Sequence, residues 1–296
     1  MFYNVIVGID GEAGGRDALA LGRLLVSKGG RLTLANVYPG DPYVWRGGNP
    51  AYNSTSEQDA QARLELTRQE AGIDAELRHR QDASVGRGLH VLAEEAHADL
   101  LVVGSSRHGL MARVMIGDDT RAALNGAPCA VAIAPAGYAA EPKAMREIGV
   151  GYNGSPESEH ALRVARELAA EHRARVSAFE AVSVPTWMAH ASGGVDATPV
   201  SDLVRQARDR IAALGVEPHA AYGQPAEELA LYSASLDLLV LGSRDYGPLG
   251  RLVHGSTSHD LARTARCPLL VLTRAARTAD AGQPSEAAPQ TALSGA

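Results

Sequence analysis

Short runs of apolar residues alternate along this chain with longer stretches in which apolar positions recur every three or four residues. The runs at residues 4–9, 32–37, 100–104 and 131–134 have the length of strands, a further strand is expected at the more polar 76–79, and LLVVG at 100–104 is apolar throughout, as a strand buried on both faces requires. Between them, residues 15–27, 57–71, 85–97 and about 118–125 carry helical periodicity. Strand and helix alternating in this way predict a parallel sheet with helices on both faces.

The same order returns from residue 148 to 273, and the two halves match residue by residue. DLLVVGSSRHGLMARVMIGDDT (99–120) aligns without a gap on DLLVLGSRDYGPLGRLVHGSTS (237–258), and the same offset carries Cys129 onto Cys267. Upstream, VGIDG (7–11) matches VGYNG (150–154), and Ala18-Leu19 matches Ala161-Leu162. A repeat of this kind sets the fold. We therefore read two α/β domains, 1–136 and 147–275, joined by a linker at 137–146 rich in Ala, Pro, Glu and Lys. Residues 276–296 have a polar, Ala- and Pro-rich composition without periodicity, and are expected to form a disordered tail. The apolar fifth strands, 131–134 and 269–272, would be open edges in isolated domains. Open edges invite pairing, so the two copies are expected to join there as a pseudo-dimer within the chain.

Charge and composition remove several function classes. The formal net charge is −6 and no run of Lys or Arg occurs, so the chain lacks the footprint of a nucleic-acid binder. Its longest apolar runs are strand-sized, too short for a membrane span. The start, MFYNVIVGID, has no basic segment before an apolar one, which reads as a soluble, cytoplasmic protein. Cys129 and Cys267 stand apart from any CxxC or His-rich pattern, so core packing is expected rather than a metal or a disulfide. No Walker, nucleophile-elbow or HExxH motif occurs, and SGGxDS and HIGH are absent too; a binding protein is expected, not an enzyme.

In an open α/β sheet, ligands bind outside the carboxyl ends of the strands where the strand order reverses, here the ends of strands one and four. Strand four is followed by Gly242 and Ser243, then by Gly255-Ser256 before a helix; the first copy has Gly104 and Gly117 in those places. Glycine lets a backbone approach a phosphate, and the free N–H groups of a helix N-terminus attract an anion. Taken singly, each of these residues also fits a plain turn or N-cap. Asp10 ends strand one of the first copy, where a helix cap and a ligand contact are equally good readings.

Together, GSRDYGPLGRLVHGST, the following Cys267-Pro268 and the acidic residue ending strand one resemble the universal stress protein family, over nearly all of residues 1–275 and in its tandem form. The resemblance implies Rossmann-like domains of the adenine-nucleotide α-hydrolase type with sheet order 3-2-1-4-5. It also implies ATP, with magnesium, or AMP held by a G-2x-G-9x-G-(S/T) motif, and dimerisation through the fifth strands; a further homo-oligomer is compatible with it. Against that motif, Gly242, Gly255 and Ser256 fit while Asp245 replaces the middle glycine and Asn153 the strand-one aspartate. In the first copy Asp10, Gly104 and Gly117 fit, while Arg107 and Asp118 depart. A hydroxyl bonded to a phosphate contributes about 1.5–3 kcal/mol. A carboxylate about 4 Å from a phosphate charge opposes binding by about 4 kcal/mol at an effective dielectric of about 20. The second copy is therefore expected to keep the better site. Three readings stay open: an adenine-nucleotide binder or sensor, an interaction module that kept only the fold, and a slow ATPase. His108 and Arg113 fit a solvated surface as well as a phosphate contact, and Trp45 and Trp187 fit loop anchors better than stacking platforms.

Overall fold

The computed structural model describes residues 1–40, 50–105, 122–124, 126–183, 200–243, 261 and 264–273. Its strands are β1 (Phe2–Gly8), β2 (Val26–Tyr38), β3 (Glu76–Gln81), β4 (Leu100–Gly104), β5 (Ala130–Ala134), β6 (Glu147–Gly151), β7 (Arg175–Val182), β8 (Glu217–Tyr222), β9 (Leu238–Gly242) and β10 (Leu269–Leu272). Its helices are α1 (Ala13–Leu25), α2 (Pro50–Ala71), α3 (Val85–Glu95), α4 (Pro156–His172), α5 (Val200–Ala212) and α6 (Pro225–Tyr232). All the strands join one sheet in the order β3-β2-β1-β4-β5-β10-β9-β6-β7-β8. Each half therefore reads 3-2-1-4-5. Within a half every pairing is parallel, and the halves meet where β5 runs antiparallel to β10, with Leu269 opposite Ile133 and Val271 opposite Val131.

This seam accounts for the apolar fifth strands. Val131, Ile133, Leu269, Leu270 and Val271 are all 0% exposed, and a Val, Leu or Ile side chain buried to that degree stabilises by about 1.5–3 kcal/mol. Side chains along each strand alternate between the two faces: Val5 and Val7 of β1 join the layer under α1, α2 and α4, while Ile6 joins the layer under α3 and α6. Both apolar layers run across the seam, so the copies share their cores.

Several boundaries differ from the expected ones, two of them for a visible physical reason. The helix expected to run to residue 27 ends at Leu25, and β2 begins directly at Val26. Gly29, at φ 82°, allows the chain to turn there, and the register against β1 jumps from Phe2 opposite Val26 to Asn4 opposite Arg31. Helix α2 starts at Pro50 rather than 57, with proline at the first helical position where its missing N–H costs nothing. Packing of Ala60 and Leu64, both 0% exposed, overrides the modest helix propensity of the Asn- and Ser-containing start.

The segment after β5 is folded against the first copy. Asp17 on α1, 3% exposed, accepts hydrogen bonds from Gly137 N (2.8 Å) and Ala139 N (2.7 Å), and Tyr138 between them is buried. Burial and the nearby Asp237 push the Tyr138 phenol up to about 12. The aligned aspartates before β4 and β9 have a matching structural duty. Asp99 accepts from Tyr3 N and Asn4 N, and Asp237 from Arg146 N and Glu147 N, so each ties the start of its copy's first strand to the fourth. Cys129 and Cys267 are free and buried at matching positions, and burial pushes the Cys129 thiol up to about 12. Among the described residues no helix is long and apolar enough to cross a membrane.

Candidate functional site

The carboxyl ends of β1 and β4 converge on the N-terminus of α1, and those of β6 and β9 on the N-terminus of α4. Gly104 shows why strand four ends in glycine: a Cβ there would lie 2.2 Å from Gly14 O and 2.6 Å from Gly14 C. At Gly242 the same added atom would lie 2.2 Å from Glu157 O and 2.5 Å from Glu157 C. Both glycines thus let strand four touch the first turn of the first helix of its copy. The next residues, Ser105 and Ser243, are buried and donate their backbone N–H to Ala134 O (2.9 Å) and Leu272 O (3.0 Å). Gly117, Gly255 and Ser256, with Arg107, Asp118 and Asp245, lie outside the described residues, as do His108, Arg113, Trp45, Trp187 and the tail.

Asp10 caps α1. Its Oδ1 accepts from Glu12 N (2.8 Å) and Gly15 N (3.0 Å), satisfying helix donors that would otherwise face solvent or a ligand. Gly15 makes room for this contact, because a Cβ there would lie 2.8 Å from Asp10 Oδ1. Gly11 has φ 80° and Arg63 of α2 lies across it, with Cδ 3.0 Å from the position of an added Cβ. A carboxylate, a cation and three glycines therefore meet at the end of β1.

The second copy solves the same cap with other residues. Ser155 is the N-cap of α4, accepting from Ser158 N (3.3 Å), while Asn153 Oδ1 accepts from Ser155 N (3.1 Å). Ser158 Oγ accepts from Asn153 N (3.4 Å) and donates to Ser155 O (2.8 Å). The offset that matches Asp10 to Asn153 matches Gly14 and Gly15 to Glu157 and Ser158. The first turn of α4 thus carries carboxylates at Glu157 and Glu159, while α1 has no acidic residue in its first turn. An anion approaching the second copy meets more local negative charge than the phosphate-loop residues alone imply.

Sequence reasoning also missed the end of strand two. Ile9 N donates to Ala35 O (2.8 Å), and the neighbouring Asn36, 3% exposed, donates its Nδ2 to Ile9 O (2.6 Å). Tyr152 N donates to Phe179 O (2.9 Å) in the second copy, so Glu180 stands where Asn36 stands in the first. Arg210 of α5 donates to Glu180 Oε1 at 2.7 Å. Among the described residues, Asn36 Oδ1, Glu180 Oε2 and Ser105 Oγ are buried without a hydrogen-bond partner. Aligning the repeats would have flagged Glu157 over Gly14. Nothing local in the sequence marks Asn36.

An open, doubly wound α/β domain whose fourth strand ends in a glycine pressed on a helix N-terminus, present twice, defines a protein of the Rossmann-like class. The family model described as the Universal stress protein family matches residues 1–135 and again 145–273, and the chain belongs to that family in its tandem form. It is similar to a universal stress protein of Mycobacterium tuberculosis, 28% identical over 75% of this chain and 82% of the relative. Another from that organism is 25% identical over 91% of this chain and 96% of its own length. Among solved structures, a universal stress protein from Archaeoglobus fulgidus superposes with a TM-score of 0.64 at 17% identity, covering 91% of this chain and 96% of that one.

Proposed function

We propose that the chain is an adenine-nucleotide binder or sensor of the stress response, taking ATP with magnesium, or AMP, in unequal sites. The observation that carries this reading is the pair of strand-four glycines, Gly104 and Gly242, each bringing the sheet edge into contact with a helix N-terminus at the reversal of strand order. Gly242, Ser243, Gly255 and Ser256 would hold phosphate in the second copy, with Asn153 on the nucleoside side. In the first copy Asp10, Gly104 and Gly117 would take those places, and Asp118 opposes phosphate. We rank the second copy higher because Ser256 supplies a hydroxyl there, although Glu157 narrows its advantage. The chain acts by binding, without turnover, in the cytoplasm.

One observation favours a second reading, an interaction module that has kept only the fold. Asp10 already occupies two of the donors at the start of α1, Glu12 N and Gly15 N, so a phosphate there must compete with a carboxylate of the chain itself.

Isothermal titration of the full chain with ATP and magnesium, alongside mass analysis of small molecules released from freshly purified protein, separates the readings. Binding that falls at least tenfold in Ser256→Ala supports nucleotide recognition in the second copy. No released nucleotide and no heat of binding would establish the interaction module. Steady phosphate release above the buffer rate would instead require the slow ATPase.

A further inference from the structure

A cavity of about 260 Å3 opens beside the seam, between the segment that follows β5 and the residues leading into β9 and β10. Pro135, Tyr138 and Ala140 line it from the first of these, and Leu236, Cys267 and Pro268 from the second copy. None of its lining residues belongs to the strand ends that the proposed function uses. The joining segment is held in place there, because Asp17 on α1 accepts from Gly137 N and Ala139 N on either side of the buried Tyr138. Leu236 and Cys267 opposite are 6% and 2% exposed. A wall fixed in this way is formed before anything binds, so an occupant need not order the chain around it. Walls this apolar offer water few partners and suit an apolar body.

The lining also carries four charged residues, and they are not equally engaged. Asp237 commits Oδ2 to Arg146 N and Glu147 N at 2.8 and 3.0 Å. Glu141, Lys143 and Arg266 are exposed, and among the described residues none of the three forms an ion pair. The Cys267 thiol senses two of these charges: burial pushes it up, Asp237 adds to that, and Lys143 opposes it. The Lys143 ammonium therefore acts at the inner wall of the cavity as well as at its mouth. Two cations without a counter-ion stand against one carboxylate in the same condition, so an anionic group is favoured at the mouth.

We propose that this cavity is a binding site for a small apolar carboxylic acid, with its hydrocarbon body between Tyr138 and Leu236 and its carboxylate drawn to Lys143 and Arg266. At roughly 30 Å3 of liquid volume for each small group, the space holds about eight or nine non-hydrogen atoms, the size of hexanoate. The site is separate from the nucleotide reading and stands or falls without it. Its occupant would touch both the segment joining the copies and the second copy, and so would stiffen that joint.

The test is isothermal titration of the full chain at low salt and millimolar probe, with hexanoate, hexanol and hexylamine, which share a tail and differ in charge. Hexanoate is expected to bind about three- to fivefold more tightly than hexanol, and hexylamine more weakly than either. Butanoate is expected to lose about fourfold for each CH2 removed. Lys143→Gln combined with Arg266→Gln should bring hexanoate down to the level of hexanol and leave hexanol unchanged. Ala136→Phe and Ala140→Phe, two variants so that a folding failure in one leaves the other, add bulk to the lining and should weaken hexanoate and hexanol alike. Hydrogen exchange with hexanoate should show protection in residues 137–146. Hexylamine binding as tightly as hexanoate would overturn the proposal. So would hexanoate affinity unchanged by the phenylalanine variants, or no heat from any of the probes.

Discussion

Removing the Asp17 carboxylate should release the segment that joins the two copies. The side chain lies on α1 and holds Gly137 N and Ala139 N at 2.8 and 2.7 Å, contacts that span more than a hundred residues of sequence. Each hydrogen bond to a charged acceptor contributes about 1.5–3 kcal/mol net. Gly137 is exposed and Ala139 half-buried, so water takes over part of what is lost, and the lower end of the range applies. Asp17→Ala is expected to lower the unfolding free energy in urea by about 2–3 kcal/mol in all. Asp17→Asn keeps one acceptor and places an amide N–H against the other donor, so it is expected to lose about half of that or slightly more. Lys143 follows the released contacts, so limited trypsin digestion should cut there faster in both variants, while Arg146 stays held by Asp237 and Arg175. Urea midpoints within error of the natural protein, with no faster cleavage at 143, would refute the reasoning and leave Asp17 as a buried charge without a mechanical role.

Three further outcomes follow from other contacts in the structure. Gly242→Ala places a methyl 2.2 Å from Glu157 O, a backbone atom that cannot rotate away, so thermal melts should show a loss of about 1–3 kcal/mol, more than for alanine at the open turn of Gly154 after allowing for its φ of 73°. Arg87 and Ser84 N hold Asp82 below the usual carboxylate range, so the stability it contributes is present above about pH 4 and is lost as pH falls through its lower folded value. Melts of the natural protein should therefore drop more steeply below that pH than melts of Asp82→Asn. Asp99, pushed up by burial, acts in the opposite sense: its contribution is present at low pH and is lost as pH rises through its raised value.

Features with a period or a repeat were legible in the sequence. LLVVG and LLVLG announce strands buried on both faces, and the apolar 131–134 and 269–272 runs announce the edge that became the seam. Contacts between elements distant in sequence were not. Asp17 sits in GRDALA, where a carboxylate on an amphipathic helix reads as solvated, and its donors appear only once the chain has passed through five strands. Asn36 reads as a polar end to a strand; its importance depends on which side of Ile9 the strand lies. The site ranking drawn from Ser256 and Asp118 used strand-four loops alone, whereas the first turns of α1 and α4 differ by whole side chains at Gly14 and Glu157. Residues close in sequence to a recognised motif attract attention, while those delivered to it by topology do not.

The antiparallel pairing of β5 with β10 also decides where ligands can be in relation to each other. Strands within each half run the same way, and the two halves run opposite ways. The carboxyl ends of β1 and β4 therefore open on one rim of the shared sheet and those of β6 and β9 on the other. A molecule held at one rim looks away from a molecule held at its counterpart, so no single small ligand can bridge the two. Any influence of one occupant on the other must pass through the shared sheet and the apolar layers packed on it. A partner protein that recognises a loaded rim would meet only one copy, leaving the opposite rim free for another.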